Sequence, residues 1–321
     1  MTQSAVLRVF DADQIDAALT MERLIEGLAQ AFAADIEVPL RHHHTLAHPE
    51  AEATLLLMPA WTRPGALTPY LGTKVVSVFP ANSRLNQPSI YGSYLLMDGA
   101  TGQPLCCLDG ARLTVWRTAA ASALAARTLA PPHPTRLLMV GAGALAPFLI
   151  RAHCAVRSYQ QIALWNHRPE RAHALASQLQ AEGLPVTVVE ALEPAVRAAD
   201  VVSCATLSAQ PLIHGDWLHE GQHIDAVGAY RPDMRETDDR VIERAQLFCD
   251  TRQGALKEGG DLAQPLAAGL INPQSIAADL FDLVRGHHPG RREAEAITFF
   301  KSVGTAIEDL AAAIAVWEAR T

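Results

Sequence analysis

Near the start of the chain Met21, Ile25, Leu28 and Phe32 recur at helical spacing and predict one amphipathic helix from residue 13 to about 34. From residue 55 to 109 the period changes. LLLMP, YLGTKVVSVF, SIYGSYLLMD and PLCCLD are short apolar runs separated by Pro, Gly and Asn, the pattern of strands in a mixed or antiparallel sheet. TAAASALAARTLA, residues 118–130, is a helix by propensity, and PPHP at 131–134 breaks it. Strand and helix patterns then alternate. Strands are predicted at Arg136–Val140, Gln161–Trp165, 186–189 and 200–205, with helices over 144–156, 169–181 and 194–199 between them. HIDAVG at 223–228 and AQLFCD at 245–250 add two further strands. This alternation implies a parallel sheet covered on both faces. Residues 301–321 read as helix again, with Ile307, Leu310, Ile314 and Trp317 as the apolar stripe.

The expected fold class is therefore α/β. A Rossmann-type doubly wound parallel sheet occupies residues 119–301. A mixed α+β domain is built from residues 1–118 and 302–321, with the C-terminal helix packing back onto the first segment.

Composition narrows the function classes. The 321 residues suit one large domain or two ordinary ones. The formal charge is -8, from 26 basic and 34 acidic residues with no dense Lys/Arg block, which argues against a nucleic-acid partner. The stretch MTQSAVLRVFDADQ has no basic region followed by an apolar run, so no secretory signal is expected. The longest apolar run, LLMVGAGALAPFLI, has 14 residues and is too short to span a bilayer, so no membrane partner is expected either. Five cysteines, an odd number without a CxxC pair, fit reduced thiols in a cytoplasmic protein.

RLLMVGAGALA carries the chemistry most directly. Gly141, Gly143 and Ala146 form G-x-G-x-x-A between an apolar strand and a helix, the context in which this motif binds a dinucleotide. Gly141 permits the tight turn, Gly143 and Ala144 bring backbone to the pyrophosphate, and Ala146 lets helix and strand pack closely. The next strand ends in Asn166-His167-Arg168 where NAD enzymes place an acid. Asn166 can bond the ribose, and His167 and Arg168 can meet a 2′-phosphate. The expected cofactor is NADPH, with NADH as the alternative.

RHHHTLAH, residues 41–48, holds four histidines. Three adjacent residues on a loop or strand do not converge on one ion, so no metal is expected and the histidines are placed facing solvent or at the rim of a cleft. Lys74 stands inside the apolar run TKVVSVF, where an unpaired charge is costly, and Arg117 directly precedes the alanine-rich helix.

These segments together resemble the ornithine cyclodeaminase/mu-crystallin family over nearly the whole chain. The resemblance rests on LTVWRTAAASALAA, PLR at 39–41, LMP at 57–59, GTKVVSVFPAN, MDGATGQPL, VGAG, HIDAVGAYRPDMRE, ALKEGGDL and FKSVGTAIED. It implies a Rossmann domain, a substrate-binding domain that also forms a homodimer, and a site between them for a small imino or amino acid. By resemblance Arg41, Lys74 and Arg117 hold the substrate carboxylate; two guanidinium forks suit that geometry. Also by resemblance, Ser89 adds a hydroxyl contact, and Thr206, Val227, Gly228, Val303 and Gly304 frame the nicotinamide. Arg41 and Arg117 are expected to position the substrate, and Lys74, its pKa lowered by two neighbouring arginines, to help supply a proton.

Departures from the pattern select a branch. Cyclodeaminases carry a carboxylate just before LMP, and here that position is Leu56. They carry an Asp soon after the A-V-G stretch, and here the position is Tyr230. Leu145 replaces a common Gln in the glycine loop. The segment GAYRPDMRETDD is similar to the ketimine reductase branch, reductases of pyrroline-2-carboxylate and piperideine-2-carboxylate. The expected activity is NADPH-linked reduction of such imines. The alternatives are an ornithine cyclodeaminase, an NAD-linked dehydrogenase of a linear amino acid such as alanine, and a non-catalytic binding protein like mu-crystallin.

Overall fold

A computed structural model describes residues 7–63, 68–85 and 87–319. Residues 1–6 of the stretch read as lacking a leader, and 320–321 of the expected last helix, lie outside the described residues. The chain divides into two units, Met1–Arg117 with Thr305–Thr321, and Thr118–Gly304.

The first unit opens with strand β1 (Arg8–Phe10) and helices α1 (Ala12–Ala18) and α2 (Met21–Ala33). The single helix expected here is thus two. Asp11 closes a capping box with Gln14 at the start of α1, and the Thr20 hydroxyl accepts the Arg23 N–H at the start of α2. A Thr placed to cap a new helix ends the old one, although the apolar spacing continues through the break. Strands β2 (Ile36–Glu37), β3 (His42–Leu46), β4 (Ala53–Thr62), β5 (Tyr70–Val78), β6 (Ile90–Asp98) and β7 (Pro104–Asp109) follow. They form a sheet in the order β1-β7-β6-β5-β4-β2, with β3 also on β4. Only the β1–β7 pair is parallel among the described strands, so the sheet is mixed. One face is deeply buried, through Met58, Ala60, Lys74, Tyr94, Leu96, Cys106 and Leu108.

Helix α3 (Gly110–Leu129) starts eight residues before the expected 118. Arg117 therefore lies inside a helix and does not precede one. Its opening stretch LTVW is rich in β-branched and aromatic residues, so propensity alone hides it.

The second unit continues with β8 (Arg136–Val140), α4 (Ala146–Val156), β9 (Gln161–Trp165), α5 (Pro169–Ala181), β10 (Val186–Val188), α6 (Leu192–Ala198), β11 (Val201–Cys204) and β12 (His223–Ala226). Then come α7 (Asp239–Arg244), β13 (Gln246–Cys249), α8 (Arg252–Glu258), α9 (Gly260–Ala267), β14 (Ile276–Asp279), α10 (Leu280–Val284) and β15 (Thr298–Lys301). Eight parallel strands take the order β10-β9-β8-β11-β12-β15-β13-β14. The order runs outward in both directions from β8 and β11, the reversal that marks a doubly wound dinucleotide-binding sheet. Two strands, β14 and β15, were not expected. TFFK of β15 is buried along its whole length between β12 and β13, and a four-residue run buried on both faces carries no period to read.

The last helix, α11 (Ala306–Glu318), begins five residues later than expected, because residue 301 ends β15. It belongs to the first unit and packs against α2 and strands β4, β5 and β6. It is buried nearly all round, including Glu308 and Asp309 in its first turn.

Candidate functional site

In the first unit the candidate residues are gathered by strand register. Met58 pairs with Lys74, and Lys74 with Tyr94, across β4, β5 and β6. His42 pairs with Leu57, so Arg41, one residue before β3, comes to the level of Met58. Lys74 is only 3% exposed. Its Nζ donates to Asp309 Oδ1 at 2.8 Å and to Thr114 Oγ1 at 3.1 Å. Arg117, from α3, donates through Nε to the same Asp309 oxygen at 3.0 Å and through Nη1 to Glu308 Oε2 at 2.7 Å. Two acids on the first turn of α11 thus fix both cations. Acids there also complement the helix dipole.

The charges set the ionisation states. Lys74 is lowered to about 8, first by burial; Asp309 pulls it up, while Arg117 and Arg41 push it down. The direction is the expected one, but burial and not the arginines is the leading cause. Burial works to raise the Asp309 carboxyl, but Lys74, Arg117 and Arg41 outweigh it and hold the group below the usual range. Burial, then Asp309, drive the Tyr94 hydroxyl well upward. Among the described residues neither Tyr94 Oη nor Asp309 Oδ2 has a hydrogen-bond partner.

Not every candidate joins this cluster. Ser89 lies just before β6, at the end of that strand away from Tyr94. The histidines of β3 are exposed, with His42 and His44 edge to face. Among the described residues no group of three or more His, Cys, Asp or Glu is placed to hold a metal ion.

In the second unit the glycine loop joins β8 to α4. Gly141 has φ of 110°, and a Cβ there would come within 2.6 Å of Ala205 O. Only glycine fits that turn. A Cβ on Gly143 would meet nothing within 4 Å, so open space fronts the loop where backbone must approach a phosphate. Ala146 is fully buried at the start of α4, and Ala144 is exposed. These residues fit a dinucleotide. Asn166 also braces the loop. Its Oδ1 accepts the Ala142 N–H at 3.1 Å and its Nδ2 donates to Arg168 O, tying the loop to the end of β9. His167 and Arg168 are exposed beside it.

The other loops at this end of the sheet are held by buried acids not anticipated from the sequence. Glu236 accepts from Thr206 and from the Gly228 and Ala229 N–H groups. Asp261 accepts the Glu236 and Thr237 N–H groups and the Lys301 ammonium. Asp250 accepts the Val303 and Gly304 N–H groups, each at 2.7 Å. Ser122, His153 and Ser203 close around Asp225. A usable signal was present. HIDAV, LFCD, KEGGDL and AIEDL each set an acid in apolar or glycine surroundings, where an unpartnered carboxylate would be costly.

A sequence profile of the Ornithine cyclodeaminase/mu-crystallin family matches residues 6–321. A Schizosaccharomyces pombe protein is 46% identical over 303 residues, 90% of each chain. The Delta(1)-pyrroline-2-carboxylate reductase of Colwellia psychrerythraea is 34% identical over 317 residues, 97% of this chain and 99% of its own. The structure of Thermococcus litoralis Delta(1)-pyrroline-2-carboxylate reductase in complex with NADH and L-proline superposes with a TM-score of 0.90 at 31% identity, covering 98% of this chain and 97% of that one.

Proposed function

The chain belongs to the ornithine cyclodeaminase/mu-crystallin family as an NAD(P)-dependent oxidoreductase, and from that premise we propose that it reduces cyclic ketimine carboxylates, pyrroline-2-carboxylate and piperideine-2-carboxylate, to proline and pipecolate. The observation that carries the reading is the cation cluster. Buried Lys74 and Arg117 pair with Asp309 and Glu308, and the partly exposed Arg41 acts on Lys74 and Asp309 through its charge. Cationic side chains gathered at one level of the sheet, two of them guanidinium forks, suit a substrate carboxylate. Arg41 and Arg117 hold that carboxylate. Lys74 orients it and supplies the proton that the ring nitrogen needs, and its lowered pKa makes it a better acid near neutrality. The bound nicotinamide supplies the hydride.

Leu56 and Tyr230 stand where the cyclodeaminase branch has its carboxylates. Those two positions offer no counter-charge for a second substrate amine, which favours the reductase. NADPH is the preferred cofactor in this reading. No acid stands at the end of β9 to repel a 2′-phosphate, and Arg168 is exposed there without an ion-pair partner among the described residues. We also assign a homodimer, joined through the second face of the mixed sheet, where Leu57, Val75, Leu95 and Met97 remain partly exposed.

The test is the loss of reduced-nicotinamide absorbance with each imine, with NADPH and NADH side by side, and ammonia release from ornithine in parallel. Rapid imine reduction with NADPH preferred supports the whole reading. Ammonia release without imine reduction sinks it. Oxidation of alanine alone moves the chain to the dehydrogenases of linear amino acids.

A further inference from the structure

Two loops at the C-terminal end of the parallel sheet share one anchor. The loop after β11 offers Thr206, and the loop after β12 offers Gly228 and Ala229. Glu236 Oε1 accepts the Thr206 N–H at 2.6 Å and the Thr206 hydroxyl at 2.8 Å. Glu236 Oε2 accepts the Gly228 N–H at 2.7 Å and the Ala229 N–H at 3.2 Å. The side chain is fully buried. A carboxylate has about four lone-pair sites, and these four donors, with the Cys204 thiol beside them, fill it. The fit leaves no slack. A Cβ on Gly228 would fall 2.0 Å from Thr206 O and 2.5 Å from Glu236 Oε1.

Glu236 is itself held from behind. Asp261 Oδ1 accepts the Glu236 N–H at 2.9 Å, and Asp261 Oδ2 accepts Lys301 Nζ at 3.0 Å. The titratable groups that face Glu236 are Cys204 from β11, Asp261 from α9 and Lys301 from β15. We propose that Glu236 is a positioning residue for the nicotinamide end of the cofactor site: its carboxylate staples the loop after β11 to the loop after β12, and dinucleotide binding is tight only while both of its oxygens can accept. This inference rests on the reading of residues 206 and 228 as cofactor-framing.

The staple has a titratable weak point. Two acids, Glu236 and Asp261, share one buried cation, Lys301. Burial raises the Glu236 carboxyl to about 7; Lys301 pulls it down and Asp261 pushes it up. A proton on either oxygen removes a lone pair and aims an O–H at a donor. The loop held by that oxygen then loses one of its two hydrogen bonds. The dinucleotide needs the ordered loops, so it binds the ionised form. Affinity is full above about pH 7 and weakens as pH falls through it.

The first experiment uses the wild-type protein and NADH, which lacks the 2′-phosphate that would itself titrate near pH 6. The dissociation constant is measured by fluorescence from about pH 6 to about pH 8.5, a window that brackets the transition. A rise in Kd approaching about tenfold per pH unit on the acid side is expected, the limit for one linked proton. Glu236→Gln should bind weakly at every pH without the step, raising the cofactor KM far more than it changes kcat. Glu236→Asp, shorter but ionisable, should restore part of the affinity and the step. A flat wild-type Kd overturns the staple, and so does a Glu236→Gln variant with wild-type affinity and step. If that variant does not fold, the wild-type titration decides alone. Failure of the wild type to bind any reduced dinucleotide at any pH removes the cofactor reading, and the staple with it.

Discussion

At the scale of single residues, the argument turns on Lys74. Its depression from 10.5 to about 8 corresponds to about 3 kcal/mol against carrying the charge in the folded protein. The folded state holds fewer protons than the unfolded chain between those values, so this linkage makes stability rise with pH from about 8 to 10.5. Catalysis runs the other way. A proton donor must be protonated, so kcat for imine reduction should hold below about pH 8 and fall above it. Lys74→Ala should lower kcat by about 10²-fold or more, the usual range for a general acid, with the dinucleotide Kd unchanged. A kcat profile flat through pH 8 in the wild type would remove Lys74 as the donor. Asp309 provides a second check. It raises the Lys74 pKa, so Asp309→Asn should move the alkaline limb to lower pH. It also leaves two buried cations short of a counter-charge, which should destabilise the protein by about 3–5 kcal/mol in denaturant titration.

At the scale of elements, the glycine loop was legible and the partners of the acid anchors were not. G-x-G-x-x-A after an apolar strand is a local pattern, set by backbone that must turn at Gly141 and stay bare at Gly143. The three cations were singled out by resemblance, with Lys74 further marked by its apolar strand. Asp309 and Glu236 act on residues far away in sequence, so their partners appear only when β5, α3 and α11, or β11 and β12, come together. The helix break at Thr20 and strands β14 and β15 were missed for a related reason, since a cap and a strand of only four residues carry little periodic signal. The end of β9 yields the element-scale prediction. Asn166 is committed to Ala142 and Arg168 backbone, so its loss should weaken both cofactors together. Arg168→Ala should instead raise the NADPH KM by about tenfold and leave that for NADH within about twofold, because a charge-assisted bond to a phosphate contributes about 1.5 kcal/mol or more. Equal KM changes for both cofactors would show that Arg168 does not read the 2′-phosphate.

At the scale of the whole molecule, the mixed sheet of the first unit has two unlike faces. One buries Met58, Lys74, Tyr94 and Leu108. The other brings Leu57 opposite Val75 and Leu71 opposite Met97, and Val75 and Trp61 are each 38% exposed. An antiparallel sheet with a solvated face normally puts polar residues on it. Leu55, Leu57, Leu71, Val75, Leu95 and Met97 are instead apolar, interleaved with Thr73, Ser77 and Ser93, and a face this apolar fits the dimer proposed above. Closing the patch against its own copy about a two-fold axis covers both with one interface. Because successive residues of a strand point to opposite faces, Val75 lies on the outer face and Lys74 on the inner one. Val75→Arg should therefore convert a dimer to a monomer in sedimentation at micromolar concentration, while dinucleotide binding by the second unit persists. A wild-type protein that sediments as a monomer would assign the exposed leucines and valine to some other partner, and a Val75→Arg variant that stays dimeric would place the interface elsewhere.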